Sequence, residues 1–70
     1  MDSITIKDEF IKLGQALKLS GTVSSGIEAK IIVQDGLVKV NGNTDTRRGR
    51  KLYAGDFFEY NGHKVVVNKP

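Results

Sequence analysis

Seventy residues make a single domain, residues 1–70, of a size at which folding buries only about 60% of the chain's surface, so there is no room for a deep catalytic cavity. No cysteine and a single histidine exclude a disulfide framework, a thiolate metal site and an imidazole cage, and no cofactor is expected. Four of the 11 Lys and Arg residues fall between Arg47 and Lys51, leaving 7 against 8 acidic residues elsewhere, so the net charge of +3 is a patch and not a background.

In chain order, Ile4 and Ile6 alternate with Ser3 and Thr5, a period of two that predicts a short opening strand. Asp8 offers an N-cap for a helix over residues 9–19, in which Phe10, Leu13, Ala16 and Leu17 form the apolar stripe and Lys12, Gln15 and Lys18 the outer face. Ser20-Gly21-Thr22 breaks that helix. Ser25 then opens a capping box in which its hydroxyl accepts from the Glu28 amide and the Glu28 carboxylate reaches back to the Ser25 N–H. The second helix runs to about Gln34, with Ala29, Ile32 and Val33 inward, Ile27 and Ile31 flanking them, and Lys30 and Gln34 outward.

Asp35-Gly36 ends the second helix, and the period switches to two at Val38 and Val40. Asn41-Gly42 and Asn61-Gly62 each predict a two-residue hairpin of type I′, which needs positive φ at two successive positions. The second hairpin sets Tyr60 opposite His63, Glu59 opposite Lys64 as an ion pair, and Phe58 opposite Val65. Ala54-Gly55-Asp56 forms a further turn. The expected fold is α+β, two N-terminal helices packed on a small, mainly antiparallel sheet.

Hydrophobic content of 39% with 27% charged residues argues for a chain that folds without a partner. No apolar run exceeds three residues and Asp2 is acidic, so neither a membrane span nor a leader is expected; the protein reads as cytoplasmic and monomeric. Gly21-Thr22-Val23-Ser24-Ser25-Gly26 lacks the Lys and hydroxyl that a P-loop places after its second glycine, since Ile27 and Glu28 stand there. Ordinary capping is the stronger reading of Ser24 and Ser25, with a phosphate seat on the helix N-terminus the weaker one. His63 stands alone, and no carboxylate pair is placed for acid–base work, so neither an enzyme nor a small-molecule substrate is expected. Phe10, Tyr53, Phe57, Phe58 and Tyr60 read mainly as core, although Tyr53 directly follows the basic run and could stack on a base.

The run Arg47-Arg48-Gly49-Arg50-Lys51 is arginine-rich, and guanidinium forks match phosphate oxygens better than ammonium groups do. With Lys12 and Lys30 turned outward from their helices, three sources of positive charge are expected to converge on one surface.

The segments Leu19-Ser20-Gly21-Thr22-Val23-Ser24-Ser25-Gly26-Ile27-Glu28-Ala29-Lys30 and Gln34-Asp35-Gly36-Leu37-Val38-Lys39-Val40-Asn41-Gly42 resemble the helix-turn-helix-strand core of the S4 RNA-binding domain, also called the alpha-L motif. With Thr46-Arg47-Arg48, Ala54-Gly55-Asp56 and Gly62-His63-Lys64-Val65-Val66-Val67, the chain is similar from about Phe10 to Val67 to the small free-standing bacterial members of the YbcJ and YaaA type. The resemblance implies binding of structured RNA, ribosomal or transfer RNA among the candidates, through Lys12, Ser24, Ser25, Lys30, Arg47, Arg48 and Lys51, with Arg50 in the same run. Many larger members have Arg where Gly26 stands and a basic residue where Ile31 stands, which shifts the electrostatic work here to residues 47–51. The competing expectation is an adaptor whose basic loop docks on an acidic protein. A ubiquitin-like carrier is not expected, because Asn68-Lys69-Pro70 offers no terminal Gly-Gly.

Overall fold

In the computed structural model, which describes residues 2–70, the alternating Ser3-Ile4-Thr5 segment lies in strand β1 (Asp2–Thr5). The remaining elements are β2 (Ile11–Lys12), α1 (Leu13–Leu19), α2 (Gly26–Gln34), β3 (Val38–Val40), β4 (Asn43–Thr44), β5 (Lys51–Leu52), β6 (Phe57–Tyr60) and β7 (His63–Asn68). A mixed five-stranded sheet has the order β1-β7-β6-β3-β4, with β1 parallel to β7 and the other pairs antiparallel, and β2 and β5 form a separate two-stranded ribbon.

Both Asn-Gly hairpins form as expected. Asn41 and Gly42 take φ of 52° and 87°, and Asn61 and Gly62 take 54° and 79°, the positive values a type I′ turn demands. The second hairpin has the expected register, Phe58 facing Val65 and Tyr60 facing His63, but Glu59 and Lys64 do not pair as ions. Lys64 leans diagonally instead, its Nζ 4.5 Å from the centre of the Phe57 ring, where the ammonium gains from the ring's negative face. His63 has a second partner, its Nε2 lying 2.8 Å from Asp2 Oδ2.

One apolar core joins the two layers: Leu13, Ala16 and Leu17 of α1 and Ala29, Ile32 and Val33 of α2 cluster with Ile4, Val38, Val40, Phe58, Val65 and Val67 of the sheet. Leu52 joins them from the ribbon and is fully buried. Ile27 and Ile31, expected to flank the inner stripe, are exposed instead, because the three small or branched residues at positions 29, 32 and 33 already fill the contact.

The first helix begins four residues later than the Asp8 cap suggests. Ile11 and Lys12 pair with Leu52 and Lys51, and the first two helical amides are taken from outside the helix: Leu13 N–H donates to the Arg50 carbonyl at 2.8 Å and Gly14 N–H to the Arg48 carbonyl at 3.0 Å. Extended pairing therefore holds the backbone up to Lys12, and Phe10 lies outside α1. Gln15 accepts from the Lys12 N–H at 3.4 Å, closing the entry.

Placing valine at position 62 puts a β-branched residue at a φ of 79°, at a cost of about 1 to 3 kcal/mol. Urea unfolding of Gly62→Val followed by circular dichroism is expected to show that loss with an unchanged m-value.

Candidate nucleic-acid interface

The basic segment is held by its own acid. Asp45 is buried, and four donors converge on its carboxylate: Arg47 N–H on Oδ1 at 2.9 Å, Arg47 Nε on Oδ1 at 3.0 Å, Arg47 Nη2 on Oδ2 at 2.8 Å and Arg50 Nη1 on Oδ2 at 2.7 Å. Those bonds fill the acceptor sites a carboxylate has. The Arg47 fork, helped by its backbone N–H and by Arg50, holds the Asp45 carboxyl well below the usual aspartate range, against the opposing push of burial. The same contact raises the already high pKa of Arg47. Arg47 and Arg50 are thus tied inward in part, although the Arg47 side chain remains 69% exposed on its outer edge.

Arg50 N–H closes a turn on the Arg47 carbonyl at 3.1 Å, which leaves Arg48 and Gly49 at the tip. The tip lies against α1 at Gly14. A Cβ added to Gly14 would stand 2.7 Å from Arg48 Cγ and 3.2 Å from Cδ, so the missing side chain is the space that the Arg48 stem occupies. The result is an open cleft of about 320 Å³ lined by Lys12, Gln15 and Lys18 with Gly14 from the α1 side, Gly26 and Ala29 from α2, and Arg48 with Gly49 from the loop. Lys18 Nζ lies 4.0 Å from the position a Gly26 Cβ would take.

Of the residues selected from sequence, Lys12 and Arg48 line this cleft together. Lys30 is exposed on α2 one turn after Gly26 but is not among the residues that line the cleft. Lys51 stands opposite Lys12 across the ribbon, a like-charge pair that costs stability unless an anion is near. Ser24 and Ser25 are engaged in the cap of α2: Ser25 Oγ accepts from Glu28 N–H at 3.1 Å, and the Glu28 carboxylate accepts from Ser24 N–H at 2.9 Å and Ser24 Oγ at 3.2 Å. The box therefore closes on Ser24 and not on the Ser25 N–H, because the extended Ser25 backbone sets the next amide back within reach. Glu28 occupies the seat where an anion would meet the helix N-terminus.

Lys18, Gly14 and Asp45 were not selected from sequence. In the sequence Lys18 is one of several outer-face residues of the first helix, Gly14 interrupts an otherwise good helical pattern, and nothing local marks Asp45 as a buried carboxylate. An isolated helical glycine was the one available signal. Among the described residues no cluster of His, Cys, Asp or Glu could hold a metal ion, and no helix is long and apolar enough to cross a membrane.

The family model described as the S4 domain matches residues 4–68. RlbA of Bacillus subtilis (strain 168), named for ribosome maturation, is 49% identical over 59 residues, covering 84% of this chain and 83% of that protein. YbcJ of Escherichia coli (strain K12), named as an RNA-binding protein, is 41% identical over 61 residues, covering 87% of each. The solution structure of YbcJ, described as containing an alpha-L motif involved in RNA binding, superposes with a TM-score of 0.75 at 38% identity over 97% of this chain and 87% of that one.

Because its folded pKa is depressed, Asp45 contributes stability that is complete above the ordinary aspartate value of about 3.9 and is lost as pH falls below it toward the folded value. Asp45→Asn is expected to cost on the order of 1.5 to 3 kcal/mol at neutral pH, the range for hydrogen bonds to a charged group. In urea unfolding at a series of pH values, the gap between parent and variant should narrow as the pH falls below about 4. Gly14→Ala adds a methyl where Arg48 lies; a helix-propensity gain of about 1 kcal/mol meets an overpacking cost of about 1 to 3 kcal/mol. The expected outcome is a lower Tm despite the better helix former, and elution from phosphocellulose at lower salt because Arg48 is displaced.

Proposed function

The chain belongs to the S4 domain family, and from that premise we propose that it is a non-enzymatic RNA-binding protein that grips structured RNA by its phosphates and shape. The observation that carries this reading is the convergence of Lys12, Lys18 and Arg48 on one open cleft while Asp45 restrains the rest of the loop. Uncommitted cations gathered at a concave surface are what a phosphate backbone requires, since each can displace a counterion from it. Arg47, Lys30 and Lys51 extend the cationic rim, Arg50 supports the loop from beneath, and Ser24 and Ser25 shape the neighbouring turn. The position that is Arg in many larger members is Gly26 here, and Lys18 brings an ammonium to that space from α1.

The likeness to RlbA favours ribosomal RNA over transfer RNA as the ligand. We further propose that residues 1–70 act as one domain, as a monomer in the cytoplasm, without a cofactor or small-molecule substrate.

Replacing Lys12, Lys18 and Arg48 together by Gln is expected to weaken binding to ribosomal RNA fragments across sequences and to lessen the salt slope by about 0.7 to 0.9 per lost phosphate contact. Arg50→Gln is expected to act differently, lowering the Tm through the loss of its Asp45 bond with little change of slope. The measurement is fluorescence anisotropy at several salt concentrations with circular dichroism as the folding control. A folded triple variant with the parent's affinity and slope would overturn the reading.

A further inference from the structure

The ribbon carries a surface that phosphate binding leaves unexplained. Leu52 is fully buried and Ile11 packs against the core, so this side of the ribbon faces inward. Side chains alternate along a strand, and Phe10, Lys12, Lys51 and Tyr53 therefore share the opposite, outer side. The Phe10 and Tyr53 rings stand with centroids 6.0 Å apart at 51°, and Lys51 Nζ lies 4.7 Å from the Phe10 centroid. Tyr53 is 45% exposed, whereas Phe58 contributes the fully buried ring of the core. Tyr53 is thus a part-exposed ring on the same side of the ribbon as Lys12 and Lys51, an arrangement suited to a flat base whose attached phosphate the ammonium groups meet.

We propose that Tyr53, backed by Phe10 and flanked by Lys12 and Lys51, is a stacking platform for an unpaired RNA base next to the phosphate held in the cleft. This rests on the RNA-binding reading above and adds to it a preference for unpaired nucleotides. Lys12 links the two places, since it lines the cleft and also sits on the ribbon face two residues from Phe10, a rise of about 6.5 to 7 Å. A phosphate on Lys12 therefore brings its own or the neighbouring base within reach of the rings. Bases inside a duplex have both faces covered by their neighbours, so the occupant comes from a loop, bulge or end. Any base presents such a face, which makes the platform indifferent to sequence.

The probes are a labelled RNA hairpin with an unpaired loop and a blunt RNA duplex of the same stem, titrated by anisotropy at fixed salt. Tyr53→Ala is expected to weaken hairpin binding about 5- to 150-fold, the range of one base–aromatic stack, and to leave duplex binding unchanged. Tyr53→Phe should retain parental affinity, and Tyr53→Leu, which keeps an apolar contact on Phe10 without a π face, should behave as the alanine variant. The chain has no Trp and two Tyr, so Tyr60→Phe leaves Tyr53 as the sole tyrosine emitter, and the hairpin should quench it while the duplex does not. Parental hairpin binding by Tyr53→Ala, or equal losses on hairpin and duplex, would overturn the platform. If the Lys12, Lys18, Arg48 variant loses hairpin binding while Tyr53→Ala keeps it, the RNA reading stands and the platform alone falls. A parent that binds neither probe overturns both.

Discussion

The Asp45 carboxylate, buried and filled by four donors from Arg47 and Arg50, holds the basic segment in one conformation, and that conformation decides where the first helix begins. With Arg47 and Arg50 drawn onto Asp45, the carbonyls of Arg48 and Arg50 point at α1 and take the amides of Gly14 and Leu13. A helix start normally needs a side-chain acceptor for such amides; here a loop from far along the chain provides backbone oxygens instead. The same docking aligns Lys51 and Leu52 with Lys12 and Ile11, so the ribbon, the helix and the loop form one unit.

That unit sorts the positive charge into two kinds. Arg47 and Arg50 hold the loop in shape through charge-assisted bonds, while Arg48, Lys12 and Lys18 have no anionic partner among the described residues and border an open cleft. A carboxylate placed under a basic loop lowers its net charge by one, yet it fixes the direction in which the remaining charges project. Preorganisation of this kind reduces the entropy that long side chains lose on binding. Gly14 serves the same end from the other side, since only a residue without a Cβ lets the Arg48 stem lie so close to the helix.

The α2 terminus shows the limit of reading an anion site from amides alone. Its Ser24-Ser25 turn has the composition of a phosphate seat, but Glu28 folds back onto Ser24 and supplies the negative charge internally. The cationic surface therefore depends on ammonium and guanidinium groups from α1 and the loop, and α2 contributes chiefly shape, through Gly26 and Ala29 in the wall of the cleft.

Much of the molecule was readable from sequence wherever the cause is local. Two Asn-Gly pairs imply two type I′ hairpins because positive φ is a demand each residue meets by itself, and the register of Phe58, Glu59 and Tyr60 against Val65, Lys64 and His63 follows from the loop length. The cap at Ser25, the inward stripe of α2 and the concentration of charge between Arg47 and Lys51 are of the same kind. What only the tertiary structure decided involves partners distant in sequence. Asp8 is a sound local cap, yet pairing of Ile11 and Lys12 with residues some 40 positions away kept the chain extended and moved Phe10 from the expected core stripe to the ribbon face. Tyr53, expected in the core, lies beside it because the ribbon's inner side was already taken by Leu52. Whether a given arginine would be tied down or free depended on where Asp45 was buried, and burial is a property of the packed chain that no local pattern encodes.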